Sequence, residues 1–480
     1  MKKKLFCCVI AFMLLVAGCA ELPTASYADG SPESSESASE SQNSKDESKV
    51  SAVESGGITS LPPKEVSADT LRICVDIDYV LPGSERDTQI GMDRFLQLAA
   101  EKGGPTDVAV EYIPASGAER EIVLENLRVE LMSGKGPDLF ILSGSSIGQG
   151  ALIPLIEVSM RSGVFLPLDT YIENAQFMEW DKLTPKVMKA GRTEEGQLVV
   201  PLTYTMPITF YRKSEVSHTP SMEMTWQDMV TDETGILRNA ASAEVSAFSL
   251  VSALGELADF DEKKLLFSEE ELLQCVKDVI AIEEAIQNGE FDHLPSFEKR
   301  EIGVRYGLSW KTSLKEDGLK EDEATTMIPI YSDNGGVTAT ITNYACINRN
   351  SEHAEEAFYM LDLLLSREVQ QEAGWYKLYH IWCQSGGNAV PMHMDLMQED
   401  YPITTESSWF MTEENFAAFS AVREQITQAS FRGSLDAQLE DLMYACLGGQ
   451  PGSVPEETVE ELVAEAYKTM EKMMSDQENN

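Results

Sequence analysis

Apolar positions change their period twice along this chain. First comes an unbroken apolar run, Leu5 to Val16, behind the positive start Met1-Lys2-Lys3-Lys4. A membrane span needs about 20 apolar residues. The shorter run has the length of a secretory h-region, so residues 1–18 read as a signal peptide. From Ala20 to about Ser67 periodicity is absent, and the stretch SPESSESASESQNSKDESK offers too little apolar surface to fold. Residues 19–67 are expected to be a disordered tether, spanning roughly 35–42 Å. From Asp69 onward the two-residue period of strands alternates with the 3.6-residue period of helices.

Thr70-Leu71-Arg72-Ile73-Cys74-Val75-Asp76 alternates and is β-branched, which predicts a strand. A Pro82-Gly83-Ser84 loop leads into a helix through Met92, Phe95, Leu96 and Ala99-Ala100. Val108 to Tyr112 predicts a second strand, and Ile122 to Leu131 a second helix that stops at Ser133-Gly134-Lys135-Gly136-Pro137. Asp138 to Leu142 predicts a third strand. This β-α-β-α-β order implies a parallel, doubly wound sheet with ligands beyond the strand C-termini. Short strands follow at Leu198–Pro201 and Pro207–Tyr211, then a mostly helical stretch from about Thr225 to Gly289. Val337 to Ile341 predicts a strand running on toward Ile347, and Ala354 to Leu365 a strong helix. The stretch Glu413–Met474 reads as helical, broken at Gly448-Gly449-Gln450-Pro451-Gly452.

Charge and cysteines narrow the function. Net charge is −43, falling to −46 once the three leader lysines are removed. That excludes nucleic acid, which rewards basic surfaces, and adhesion to anionic lipid by charge. Hydrophobic content is 43%, enough for two cored domains in 480 residues. Val16-Ala17-Gly18-Cys19 resembles the bacterial lipobox, in which small residues fit the peptidase and the Cys19 thiol takes the lipid. Beyond it, Cys74, Cys275, Cys346, Cys383 and Cys446 are odd in number and scattered, so they read as buried free thiols. No metal-ligand spacing, H-E-x-x-H or Walker A string occurs, so neither a metal nor a cofactor is expected.

The order of five segments resembles the family-1 extracellular solute-binding proteins, the maltose- and oligosaccharide-binding group of ABC-importer lipoproteins. Glu125 to Phe140 (ENLRVELMSGKGPDLF) resembles the helix-then-strand signature of the first lobe. Phe165 to Ile172 (FLPLDTYI) resembles its L-x-D-x-Y/L-I segment, and Gly196 to Pro201 through Phe210-Tyr211-Arg212-Lys213 its first crossing between lobes. Met224-Thr225-Trp226-Gln227-Asp228-Met229 resembles a T-W-x-D/E helix start. Asn343 to Ser351 with His353 to Ala357 resembles the return strand and helix. The resemblance implies an α/β fold of two lobes, each a doubly wound sheet flanked by helices, with a cleft between. Residues 68–480 would form this domain, lobe 1 about 69–202 and 328–368, lobe 2 about 205–325 and 372–474.

Sugars present C–H faces that stack on aromatic rings and hydroxyls that need polar partners at fixed positions. On the resemblance, the ligand-binding candidates are Asp76, Asp78 and Tyr79 after the first strand, and Ser143 and Ser145 after the third. Tyr204 lies in the first crossing and Trp310 in a Gly307-Leu308-Ser309-Trp310 loop. Tyr331 and Asp333 lie near the second crossing, and Trp375 and Trp382 open the last segment. Core packing competes for each aromatic, and a solvated turn for Asp76 and Asp78; Trp226 reads as core.

The expected function is to capture a small solute, a sugar or oligosaccharide, by lobe closure and deliver it to ABC permease subunits. The protein would be a monomer on the outer face of a Gram-positive cell membrane, held by its lipid alone. A solute-sensing lipoprotein feeding a sensor kinase would have the same fold and cleft. A secreted hydrolase is a weaker alternative: Gly144-Ser145-Ser146-Ile147-Gly148 fits the nucleophile-elbow string, but none of His218, His293, His353, His380 and His393 lies in a recognisable triad context. With 80 acidic residues, no carboxylate pair singles out a glycosidase.

Overall fold

A computed structural model describes residues 67–76, 84–144, 150–241, 246–291, 294, 324–373, 390–396, 413–447 and 453–475. The expected signal peptide, tether and lipidated Cys19 lie outside these residues. Asp69–Gln477 forms one compact unit.

The first strands and helices fall close to where periodicity put them. They are β1 (Leu71–Asp76), α1 (Ser84–Glu101), β2 (Val108–Ile113), α2 (Gly117–Met132) and β3 (Leu139–Ser143). β1 lies between β2 and β3, parallel to both. Both strands are buried on both faces rather than alternating: every residue of β1 but Arg72 is buried, and β3 is buried along its whole length. A short helix α3 (Ile156–Arg161) follows β3, with Ile156 and Met160 in the core.

The crossing segments are β4 (Val199–Thr205) and β5 (Ile208–Arg212). The second half then builds α4 (Trp226–Val230), α5 (Ile236–Ala241), α6 (Ser246–Leu254) and α7 (Glu269–Gln287). Trp226 is buried at the start of α4, as expected, and donates its indole N–H to Asp278 at 3.2 Å. A strand β6 (Thr325–Pro329) pairs antiparallel with β5. β7 (Val337–Ile347) then runs back as one long strand, followed by α8 (Ala354–Leu364) and α9 (Arg367–Ala373). The chain finishes with β8 (Val390–Pro391), α10 (Glu413–Arg423), β9 (Ile426–Phe431), α11 (Ser434–Leu447) and α12 (Glu456–Ser475).

β9 corrects the helical expectation for 413–474. Ile426-Thr427-Gln428-Ala429-Ser430-Phe431 leaves the helical period because β7 offers an open edge, and β9 pairs parallel with its first half. The main sheet therefore runs β8-β4-β7-β3-β1-β2, with β9 also on β7. It is mixed rather than purely parallel, because β7 returns antiparallel to both β3 and β4.

Local capping sets the long helix of the second half. The Ser268 hydroxyl accepts the N–H of Glu271 at 3.2 Å, and Glu271 accepts the N–H of Ser268 at 2.7 Å. These bonds hold the Glu271 carboxyl below its usual range. Ser268→Ala is expected to cost about 1 kcal/mol, read as a lower urea midpoint at unchanged slope. No loss would mean that tertiary contacts alone set where α7 begins.

Candidate functional site

The C-terminal ends of the sheet converge on the middle of β7. Ser143, the last residue of β3, pairs with Asn343, and Thr203 to Thr205 at the end of β4 pair with Thr340 to Asn343. β9 runs the opposite way along β7 and ends at Phe431 opposite Ile341. β3 and β9 thus meet end to end on one edge of β7. Loops beyond such strand ends carry ligands in open α/β sheets.

Buried hydroxyls and amides stitch this junction together. Asn343 Nδ2 donates to Thr203 Oγ1 at 2.7 Å, and Thr203 Oγ1 lies 2.7 Å from Thr342 Oγ1. The Gly144 N–H donates to the Thr342 carbonyl at 2.7 Å. An added Cβ at Gly144 would sit 2.2 Å from the Ile341 carbonyl oxygen. Only glycine permits that approach, so the residue after β3 is pinned to β7.

Asp76, at the end of β1, is buried against Arg120 from the first turn of α2. The guanidinium reaches both carboxylate oxygens, at 2.6 and 3.0 Å. It also donates to the Pro114 carbonyl at 2.8 Å and to the Gly150 carbonyl at 2.7 Å. One side chain thereby ties the ends of β1 and β2 to the segment after β3. Arg128, two turns on, donates to the Leu152 carbonyl at 3.1 Å and also to that of Ala151.

Of the other described candidates, Tyr204 lies at the junction, its backbone opposite Ile341, whereas Tyr331 and Asp333 lie in the second half. Tyr204 is fully buried with its backbone opposite Val390. Burial raises its hydroxyl pKa, and Thr184 and Arg423 beside it partly oppose the rise. Tyr331 is fully buried in the second half, its hydroxyl 2.8 Å from His218 Nε2. Burial pushes the Tyr331 hydroxyl up and His218 down. Asp333 accepts from the Cys275 thiol at 3.4 Å, and burial raises its carboxyl. The backbone of this segment is bonded to α4 and α6: Trp226 N–H to Ser332 O, and Asp333 N–H to Ala253 O. Thus Asp76 and Ser143 end neighbouring strands, whereas Tyr331 is buried in the second half and Asp333 is exposed beside it. Asp78, Tyr79, Ser145, Trp310, Trp375 and Trp382 lie outside the described residues.

Sequence reasoning missed Arg120, Thr203, Thr342 and Asn343. A lone arginine in the acidic first turn of α2 was the available signal for Arg120, but its partner lies 44 positions away. Of the cysteines, Cys74, Cys275, Cys346 and Cys446 are free and buried, and Cys383 lies outside the described residues. Burial raises the Cys446 thiol to about 11. Among the described residues no group of three or more His, Cys, Asp or Glu side chains is placed to hold a metal, and no helix is long and apolar enough to cross a membrane.

No family model and no curated protein matches this sequence. Solved structures do match. A family-1 extracellular solute-binding protein from Alicyclobacillus acidocaldarius superimposes with TM-score 0.52 at 13% identity, over 84% of this chain and 98% of that one. The sugar-binding protein MalE from Xanthomonas citri gives 0.51 at 14%, over 85% and 98%. A chitin oligosaccharide binding protein gives 0.50 at 14%, over 85% and 100%. The fold is the two-lobe α/β fold of these periplasmic-type binding proteins.

Proposed function

We propose that the chain is the extracellular solute-binding component of an ABC importer and a member of the family-1 solute-binding group. It would capture a small solute, a sugar or oligosaccharide, between two closing lobes. The observation that carries this reading is the fold, shared over about the whole compact unit with proteins of that kind. The convergence of the β3 and β4 C-termini on the polar middle of β7 supports a ligand site at that end of the sheet. The sugar-binding and chitin oligosaccharide binding neighbours favour carbohydrate. The lobes would follow the residue ranges given by the family resemblance. Cys19 would carry the lipid that keeps a monomer beside its permease on the outer membrane face, residues 19–67 serving as tether. Asp76, Asp78, Tyr79, Ser143, Ser145, Tyr204, Trp310, Tyr331, Asp333, Trp375 and Trp382 remain its candidate ligand residues, with Trp310 the proposed stacking platform.

A thermal-shift screen of residues 68–480 against a broad carbohydrate panel tests this. Ligand at about 100 times its dissociation constant adds roughly 2.7 kcal/mol of stability. The expected result is a rise with one glycan class that Trp310→Ala abolishes. A flat panel on folded protein removes the sugar assignment.

A further inference from the structure

β7 opens on Val337-Thr338-Ala339-Thr340-Ile341-Thr342, apolar residues alternating with threonines. Successive side chains of a strand turn to opposite faces, so one face of this stretch is apolar and the other carries hydroxyls. Val337, Ala339 and Ile341 are fully buried. Thr340, on the other face, pairs with Thr205, the last residue of β4, and with Ser430, next to the end of β9. Residues in register across a sheet turn to the same face. Thr205, Thr340 and Ser430 therefore form one row of hydroxyls across three strands. Neighbouring strands lie about 4.8 Å apart, so the row is roughly 9–10 Å long.

The polar groups on either side of this row are satisfied within the protein. Thr338 Oγ1 accepts from Gln428 Nε2 at 2.9 Å. Thr342 Oγ1 lies 2.7 Å from Thr203 Oγ1, which also accepts from Asn343 Nδ2. The row between them is not. Thr205 is only 6% exposed, yet its Oγ1 has no hydrogen-bond partner. Ser430 Oγ is also shut from solvent and has none. Thr340 stands half-buried between the two. Buried polar atoms are bonded nearly everywhere in folded proteins. Here two bare hydroxyls flank a third, where the C-terminal ends of β4 and β9 meet on β7. No member of the row is charged, and Arg432, two residues past Ser430, is held by Glu440. An ionised group brought to the row would be buried against hydroxyls alone, at high cost.

We propose that Thr205, Thr340 and Ser430 are a specificity row that binds the hydroxyls of an uncharged glycan lying across β4, β7 and β9. Each hydroxyl both donates and accepts, as each hydroxyl of a sugar does. Two strand spacings set the length of the row, which favours an oligosaccharide over a single sugar. The inference rests on the solute-binding function proposed above, and glycan reaches the row when the lobes part.

Removing the hydroxyls at nearly constant volume separates binding from folding. Titration calorimetry on the full chain in detergent measures affinity, with maltotriose, chitotriose, glucose and N-acetylglucosamine as probes. Urea unfolding without glycan measures stability. Thr205→Val and Ser430→Ala should each weaken trisaccharide binding about tenfold, the loss of one net hydrogen bond. Their urea midpoints should stay level or rise, because each change removes a buried hydroxyl that the protein leaves unsatisfied. Thr205→Ser keeps the hydroxyl and should bind as the native chain does. Ser268→Ala, remote on α7, should lose stability and keep its affinity. The single sugars should bind the native chain at least about tenfold more weakly than the trisaccharides. Unchanged trisaccharide affinity in both Thr205→Val and Ser430→Ala overturns the row and leaves the glycan reading standing. So does a loss of affinity matched by a fall in urea midpoint, which would make the hydroxyls structural. A folded native chain that binds no glycan removes the sugar assignment and the row together.

Discussion

Arg120→Met is expected to destabilise the folded unit by about 3–5 kcal/mol, the cost of stripping one partner from a buried ion pair. Asp76 and Arg120 are both buried, and the carboxylate is engaged at both oxygens. Methionine fills similar volume but leaves the Asp76 charge without its guanidinium. It also takes donors away from the Gly150 and Pro114 carbonyls. Arg120→Lys should recover part of the loss, since an ammonium supplies charge without the planar fork that reaches several acceptors at once. Urea unfolding measures both variants. A loss under about 1 kcal/mol would place the pair in the class of solvated ion pairs and remove Arg120 as the tie between the ends of β1 and β2 and the segment after β3.

Gly144→Ala should cost about 3 kcal/mol, the upper end for overpacking a well-packed site. The clash here is with backbone: the Ile341 carbonyl oxygen would stand 2.2 Å from the new Cβ, with Thr342 Cα at 3.2 Å. No rotamer change relieves it. Relief requires β3 to move off β7, which breaks the Gly144 N–H bond to Thr342. The same movement would displace the strand end that carries Ser143, so any glycan found in the screen should bind more weakly as well. Gly150→Ala is the control, because nothing lies within 4 Å of a Cβ there. Equal stabilities for the two variants would show that the β3 end is free to shift.

The order of strands and helices was legible in the chain. Periodicity placed β1, β2, β3, α2 and α8 within a residue or so at most ends, apart from the start of α2, because each buries one face and its spacing reports that face. Cys74, Cys275, Cys346 and Cys446 were read correctly as buried, since scattered thiols without ligand spacing behave as small hydrophobes. The Ser268–Glu271 cap, too, is a local pattern of residues three apart. The expectation failed at β9, where a six-residue segment lacks enough local preference to oppose an available strand edge.

Long-range partnership was beyond the reach of periodicity. A pattern says that Asp76 ends a strand; it does not say that an arginine 44 residues on will neutralise it. Nor does it say that Thr203 will meet Asn343 across 140 residues. Tyr331 and Asp333 show the same limit from the other side. Polar and aromatic residues beside a crossing resemble ligand contacts in sequence, yet here Tyr331 is buried against His218, and exposed Asp333 bonds to Cys275 of α7 and Ala253 of α6. Local spacing determines which face of an element is buried. Closure of the sheet around β7 decides what that face meets, because it is β7 that brings β3, β4 and β9 together from distant parts of the chain.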